Sequence, residues 1–110
     1  MSKREPSVLL DDIRTSIEKI QRYIAGLDEV SFLADEKTTD AVVRNLEIIG
    51  EAAKQLPAEF KNQHSAIPWP QIAGLRNRIV HDYAEIDLKL VRNILQTAIP
   101  KLALQIGELK

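Results

Sequence analysis

The chain has 110 residues and a formal net charge of −1 at pH 7, with no cysteine and two histidines. A chain of this length forms one domain with its own core, so residues 1–110 are expected to be a single helical domain. The absence of cysteine excludes disulfides and thiolate catalysis, and two histidines offer little for a zinc site, so neither a metal nor another cofactor is expected. The near-neutral charge argues against a broad basic surface for nucleic acid, so cations that bind RNA would have to be local.

No segment approaches the roughly 20 consecutive apolar residues that a membrane-spanning helix needs. The charged N-terminus does not resemble a signal peptide. We therefore expect a soluble, cytoplasmic protein with no membrane contact. The few aromatic residues and the many Leu, Ile, Ala, Glu, Lys and Arg residues favour helices.

The first half of the chain predicts two long amphipathic helices. Ser7 is the expected N-cap of the first, which carries an apolar stripe and runs to about Ala25. Residues 28–34 predict a short helical turn anchored by Phe32 and Leu33. Asp35 is the expected cap of the second helix, which runs to about residue 55 before Pro57.

The second half predicts a short helical piece within residues 58–66 and two further long helices. Pro70 suits the first position of the third helix, which is expected to run to about residues 81–83. Asp87 is the expected cap of the fourth, with a kink at Pro100. Short connections between these helices predict an all-α fold, an up-and-down four-helix bundle with short extra helical turns.

Two polar side chains fall within the apolar arc predicted for the third helix. Arg76 and Tyr83 are seven residues apart and have nearly the same bearing on an ideal helix. A buried, unpaired guanidinium is very costly, so Arg76 must meet a carboxylate, carbonyl groups or an anion, or lie in a wet crevice. A structural pair with a carboxylate of the second helix and a functional role both remain open.

A second polar pair lies on another side of that helix. Asn77 and His81 are four residues apart, beside Gly74, where a glycine suggests close approach of a backbone or ligand. Arg76 and His81 are about 140° apart on an ideal helix. Both reach one phosphate only if the helix ends or distorts, the arginine bends round, or a second copy contributes. His64, in a polar segment, is expected to be solvated and inert.

The second helix has one polar side, formed by Arg44, Glu47, Glu51, Lys54 and Gln55. These residues predict either an exposed ladder of ion pairs, worth tenths of a kcal/mol each, or the lining of a cleft around Arg76. Arg78 is a further candidate for such a lining. Asn45 lies in the apolar arc of the same helix and is expected to form a hydrogen bond with a neighbouring helix or a partner.

The chemistry of these residues suits cleavage of a phosphodiester without a metal. Arginine presents a planar set of donors that matches phosphate, and histidine exchanges a proton near neutral pH. RNA carries its own nucleophile, the 2′-hydroxyl, so a protein needs only an acid, a base and stabilisation of phosphate charge. His81 is the candidate acid and base, Arg76 the charge-stabilising residue and Asn77 the supporting residue.

The pattern R-x-x-x-x-H-x-Y, with Asn directly after Arg, is formed by Arg76, Asn77, His81 and Tyr83. This pattern resembles the signature of the HEPN superfamily, specifically its HepT-like toxin branch. The run RNLEIIGEAA that begins at Arg44, and the segments IPW and GLRN around the third helix, are also typical of that branch. The resemblance covers roughly residues 7–106.

The resemblance implies a small helical bundle that forms a homodimer and cleaves RNA without a metal, leaving a 2′,3′-cyclic phosphate. It also implies a toxin–antitoxin system of type II or a type VII-like kind. The antitoxin would be a minimal nucleotidyltransferase of the MNT type, which inactivates the toxin by nucleotidylation (AMPylation) of Tyr83. Since one histidine does not conveniently serve both ends of an in-line displacement, the expected site is a groove shared by two copies.

Two other functional classes fit the same residues. In the first, the chain is a non-catalytic helical subunit that binds a nucleotide or a partner nucleotidyltransferase, with Arg76 and His81 holding phosphate. The absence of a broad basic surface favours this class, whereas the combination of arginine, histidine and tyrosine counts against it. In the second, the chain is a purely structural bundle, which leaves Arg76 unexplained.

Overall fold

The structure is a computed structural model that describes residues 4–82 and 85–109, with the backbone alone for His81 and Asp82. Its elements in chain order are α1 (Pro6–Ile24), α2 (Glu29–Ala34), α3 (Glu36–Gln55), α4 (Ala58–Gln63), α5 (Trp69–Ala73), α6 (Leu75–Ile79), β1 (Val80–Asp82), β2 (Glu85–Ile86), α7 (Leu88–Gln96) and α8 (Ala98–Gly107). The prediction of an all-α fold is confirmed. None of these helices combines the length and the apolarity needed to cross a lipid bilayer.

Helix α3 lies at the centre of the fold, packed against α1 on one side and α5 and α6 on another. Asp35 caps it as predicted: its carboxylate accepts hydrogen bonds from the Thr38 hydroxyl at 2.7 Å and the Thr38 N–H at 3.0 Å. These two bonds hold the pKa of Asp35 below its ordinary value. The buried side chains of α3 recur at steps of three and four, including Val42, Leu46 and Ile49, so one stripe faces the core.

Helix α1 begins two residues earlier than predicted. Glu5 occupies the N-cap position and makes no side-chain cap bond, so the assignment of Ser7 as cap is wrong. Pro6 stands at the first helical position, where its fixed φ suits the helix and its missing N–H is not needed. The Glu5 carbonyl accepts the N–H groups of Val8 and Leu9 at 3.0 and 3.1 Å and so starts the helix.

The third predicted helix is interrupted and shorter than expected. It is divided into α5 and α6 at Gly74, whose φ of −92° and ψ of 8° leave helical geometry. It ends at Ile79, since Val80 has extended backbone and begins a two-stranded hairpin in which Val80 pairs with Ile86. The expected helix to residues 81–83 is therefore wrong, and His81 lies on a strand.

The last helical unit is also divided. Asp87 caps α7 as predicted, with its carboxylate accepting the Leu90 N–H at 2.9 Å. The unit breaks at Thr97 and not at Pro100, where a kink was expected. Pro100 offers no N–H to the Gln96 carbonyl and its ring crowds that group. The break one turn earlier leaves Pro100 in the first turn of α8, where no such bond is required.

Asn45 is buried in α3 with 6% of its surface exposed. Its Nδ2 donates to the Ala41 carbonyl of its own helix at 2.8 Å, and its Oδ1 has no hydrogen-bond partner among the described residues. The expected bond to a neighbouring helix is absent from the described part of the chain. A bond to a partner molecule stays a prediction.

Candidate functional site

A cleft of about 780 Å³ lies between the N-terminal part of α1, one face of α3 and the α5–α6 unit. Its floor is the polar side of α3, with Arg44, Glu47 and Glu51 at helical spacing. Arg76 and Asn77 of α6 lie on the facing wall. The structure thus places the three candidate residues of α3 around Arg76, as one of the two interpretations of the sequence required.

The wall and the floor approach closely at Gly50. A Cβ atom built on Gly50 would lie 3.2 Å from the carbonyl oxygen of Ile72 and 3.5 Å from that of Ala73. The distance to Ile72 is tighter than ordinary carbon–oxygen contacts, so a side chain larger than that of glycine would require α5 or α3 to shift by a few tenths of an ångström. Gly74 also lines the cleft, at the turn that separates α5 from α6.

Arg76 is exposed, with 61% of its side-chain surface accessible, and its Nε donates to Oε2 of Glu47 at 3.2 Å. The expectation that Arg76 lies within a buried apolar arc is wrong. The bearing of Arg76 was calculated for one continuous helix, with 100° per residue. Because the helix is interrupted at Gly74, α6 does not continue the apolar arc of α5. Of the alternatives left open for Arg76, a pair with a carboxylate of the second helix is formed, by Glu47, in an open cleft.

Four cations and three carboxylates line the cleft, which gives its lining a net charge of +1 although the chain carries −1. Three of the cations are paired: Arg4 with Asp12 at 2.8 Å, Arg76 with Glu47 at 3.2 Å and Lys54 with Glu51 at 3.7 Å. Arg44 is exposed and has no ion pair among the described residues. The fourth positive charge of the cleft is therefore available to an anion.

The exposed ladder of ion pairs along α3 forms only in part. Glu51 and Lys54 pair within the helix, whereas Glu47 pairs across the cleft with Arg76. Both side chains of the Glu51–Lys54 pair are about two-thirds exposed, so this pair contributes little to stability. Glu47 is less exposed, at 34%, and it connects α3 to α6.

Arg78, a candidate for the lining, and His64, which was expected to be inert, both lie away from this cleft. Arg78 lines a separate groove of about 320 Å³ between the α5–α6 unit and α8, so the structure does not bring it together with Arg76. His64 follows α4, where its ring lies 4.6 Å from that of Phe60 and its carbonyl accepts the Trp69 indole N–H. His64 is half-buried in an aromatic contact and not fully solvated.

His81 lies two residues beyond the end of α6, on β1. Its backbone falls at an irregularity of the hairpin, between the pairs Val80–Ile86 and Asp82–Glu85. Because α6 ends at Ile79, the predicted helical pair of Asn77 and His81 is wrong, and the 140° separation from Arg76 does not apply. The side chain of His81 and the whole of Tyr83 lie outside the described residues.

Sequence reasoning missed Arg4 and Asp12, which contribute an ion pair to the end of the cleft. Neither residue belongs to the motif or to the polar side of α3. They reach the cleft only because α1 packs along α3, and a single sequence carries no local signal for that contact. Lys54 was placed on the correct side of its helix by its spacing from Glu51.

Comparison with known proteins gives one consistent family. The family model described as "Ribonuclease HepT-like" matches residues 13–109. A candidate RNase of Caldanaerobacter subterraneus subsp. tengcongensis is 36% identical over 106 residues, covering 96% of this chain and 95% of its own. A "Probable ribonuclease HepT" of Thermococcus cleftensis is 39% identical over 100 residues, covering 91% of each chain. No solved structure matches this chain significantly.

Proposed function

Because the chain belongs to the HepT-like ribonuclease family, we propose that it is an endoribonuclease whose site is the cleft around Arg76. The observation that carries the proposal is the exposed guanidinium of Arg76 in a cleft whose lining is net positive within a net negative chain. A net positive lining favours the approach of a polyanion although the chain as a whole is slightly negative. Arg44, which no described carboxylate neutralises, is the proposed contact for a flanking phosphate of the RNA.

The proposed reaction needs no metal. The 2′-hydroxyl of RNA attacks the adjacent phosphorus as His81 removes its proton, and the bond from phosphorus to the 5′-oxygen breaks as that oxygen gains a proton. The products are a 2′,3′-cyclic phosphate and a 5′-hydroxyl. Arg76 stabilises the negative charge that accumulates on the phosphate oxygens, and Asn77 orients the phosphate or the histidine.

The proposed active form is a homodimer. An in-line displacement needs a base on one side of phosphorus and an acid on the other, and one imidazole does not easily reach both. Two copies related by a two-fold axis would place two His81 residues around one groove. This argument depends on the chemistry alone, since the end of α6 at Ile79 removes the geometric argument from helical bearing.

The proposed biological role is that of the toxin in a toxin–antitoxin pair, acting on RNA in the cytoplasm. The proposed antitoxin is an MNT-type nucleotidyltransferase that transfers a nucleoside monophosphate to the hydroxyl of Tyr83. The added group is a bulky anion on a residue seven positions after Arg76 in the chain, and we propose that it reaches the same site. Inactivation would then follow from occupation of the cleft and from competition for Arg76.

A cleavage assay with purified protein tests the ribonuclease proposal. Arg76→Ala should lower the rate by about 10²–10³, the effect of removing one donor that stabilises transition-state charge. Arg78→Ala is the matched control. It removes the same charge two residues further along the chain, from a side chain that lines the other groove. Equal rates for the two variants would contradict the assignment of the site to the cleft around Arg76.

A further inference from the structure

The guanidinium of Arg76 is held at one atom. Nε donates to Glu47 Oε2 at 3.2 Å, and the terminal nitrogens form no hydrogen bond with any described residue. Arginine has five N–H donors, of which Nε carries one and the two terminal nitrogens carry four. The bond to Glu47 therefore leaves free the edge formed by Nη1 and Nη2, which can bind two oxygens of one phosphate.

Glu47 and Arg76 differ in exposure, as expected if the carboxylate holds the guanidinium in place. The Glu47 side chain is 34% exposed on the long central helix α3, whereas the Arg76 side chain is 61% exposed on the five-residue helix α6. The carboxylate is thus the better anchored member of the pair. It restrains the plane of a flexible side chain that lines the cleft and whose terminal nitrogens form no hydrogen bond with the described residues.

The effect of Glu47 on Arg76 can be distinguished from the effect of its negative charge on the cleft. A carboxylate in a cleft that binds RNA repels phosphate, so its removal should strengthen RNA binding. Glu51 provides the comparison: it lines the same cleft one turn later on α3, but it pairs with Lys54 and not with Arg76. Loss of either carboxylate makes the cleft more positive, and only loss of Glu47 releases Arg76.

We infer that Glu47 is a positioning residue, which holds Arg76 through Nε so that its terminal edge faces the phosphate that is cleaved. The inference rests on the proposed ribonuclease function and adds a second residue to the machinery of that site. It predicts opposite effects on binding and on turnover. Loss of a residue with a purely structural role would instead lower stability, without opposite effects on RNA binding and on turnover.

Steady-state cleavage of an RNA oligonucleotide by Glu47→Ala, Glu47→Gln and Glu51→Ala tests the inference. Glu47→Ala should lower kcat by about 10- to 100-fold, the range expected when a reacting group is misplaced, while KM stays equal or falls. Glu47→Gln should keep kcat within about threefold, because the amide oxygen still accepts from Nε. For Glu51→Ala, KM should likewise stay equal or fall. Its factor of decrease in kcat should be at least about tenfold smaller than that of Glu47→Ala.

Equal kcat values for Glu47→Ala and Glu51→Ala would overturn the inference, as would a Glu47→Gln variant as slow as Glu47→Ala. Circular dichroism melting identifies a variant that fails to fold. If Glu47→Ala fails to fold, Glu47→Gln is compared with Arg76→Lys instead. Lysine lacks the Nε–H and the planar edge, so Arg76→Lys should be slow while Glu47→Gln is not.

Binding of a 2′-deoxy-substituted oligonucleotide, which cannot be cleaved, separates this inference from the proposed function. Arg76→Ala should weaken binding by a smaller factor in a Glu47→Ala background than in the wild type, and by an unchanged factor in a Glu47→Gln background. That coupling supports the positioning role even if no RNA is cleaved, in which case the ribonuclease proposal alone fails. Cleavage without coupling leaves the ribonuclease proposal standing and contradicts the role of Glu47.

Discussion

The arginines of the cleft differ in what an incoming phosphate must displace. At Arg76 a phosphate competes with Glu47, but an exposed ion pair is worth only about 0–1 kcal/mol, and the terminal nitrogens are not engaged by the described residues. At Arg44 it meets no competing carboxylate in the described part of the chain. An RNA strand that enters the cleft would therefore find two guanidinium groups that it can contact at low cost.

Tyr83 is the residue at which we expect control of activity. A free tyrosine phenol loses its proton only at about pH 10 and is a poor acid or base at neutral pH, so the proposed role of Tyr83 is to accept a nucleotide. After co-expression with the proposed MNT-type nucleotidyltransferase, mass spectrometry should find the added mass on Tyr83, and the modified protein should lose RNA cleavage. The mass shift locates the modification, and the loss of cleavage connects it to activity.

The chain has two tyrosines, so Tyr23→Phe is the matched control for Tyr83→Phe. Tyr23 is on α1, beside Arg22. Tyr83→Phe should escape inactivation, whereas Tyr23→Phe should be inactivated like the wild type. Full inactivation of Tyr83→Phe by the partner would show that nucleotidylation of this residue is not the means of control.

At the scale of elements, the helices with strong local signals were predictable and the others were not. Asp35 and Asp87 each precede an apolar periodic segment, and each caps a helix through its side chain. The short helix α2 and its buried Phe32 also agree with the prediction. These features depend on residues within one or two turns, which is the range over which a sequence pattern determines structure.

The hairpin after α6 could not be predicted in this way. Ile79 and Val80 continue the apolar spacing of a helix, yet β-branched side chains suit a strand equally well, and the pattern does not choose between them. The end of the helix at Ile79 is accompanied by a hydrogen bond from the N–H of Asp87, eight residues later, to the Ile79 carbonyl at 2.8 Å. The part of the cleft lining that lies on α3 could be predicted from spacing, whereas the contribution of Arg4 and Asp12 and the position of His81 could not.

The close crossing of α3 and α5 gives a prediction at this scale. Gly50→Ala places a methyl group 3.2 Å from a backbone oxygen of Ile72, which cannot rotate away, so α5 must shift. We expect a loss of about 1–3 kcal/mol in the free energy of unfolding, as for other overpacked sites. The decrease should exceed the gain in helix propensity that alanine brings, and denaturant unfolding measures it.

Gly107→Ala is the control for this substitution. Gly107 is also helical, at the end of α8, and a Cβ atom built on it would have no neighbour within 4 Å. This variant should be as stable as the wild type or more stable, by up to about 1 kcal/mol. A Gly50→Ala variant that is stabilised like Gly107→Ala would show that the crossing of α3 and α5 is not tight.

At the scale of the whole molecule, charge is distributed unevenly. The chain is slightly acidic overall, with a net charge of −1, while the lining of the cleft is net positive. If RNA binds in this cleft as proposed, contacts between its phosphates and the arginines should make affinity sensitive to salt. Two clefts brought together in a dimer would concentrate this positive charge further.

Mixing of subunits tests whether two copies of His81 serve one site. Wild-type protein and His81→Ala protein, co-folded in equal amounts, form homodimers and mixed dimers. If each site needs both histidines, only wild-type homodimers are active, and about one quarter of the wild-type activity remains. If each copy works alone, about one half remains. A monomer in sedimentation at micromolar concentration would also contradict the dimer.

The central claim is that this protein cleaves RNA by proton transfer and charge stabilisation without a metal. The most direct measurement is cleavage of RNA in EDTA, with analysis of the product ends, by the wild type and by His81→Ala. We predict a 2′,3′-cyclic phosphate from the wild type and a rate about 10²–10⁴ lower for His81→Ala, the usual cost of losing a general acid or base. A strict requirement for a divalent metal, or full activity in His81→Ala, would contradict the account.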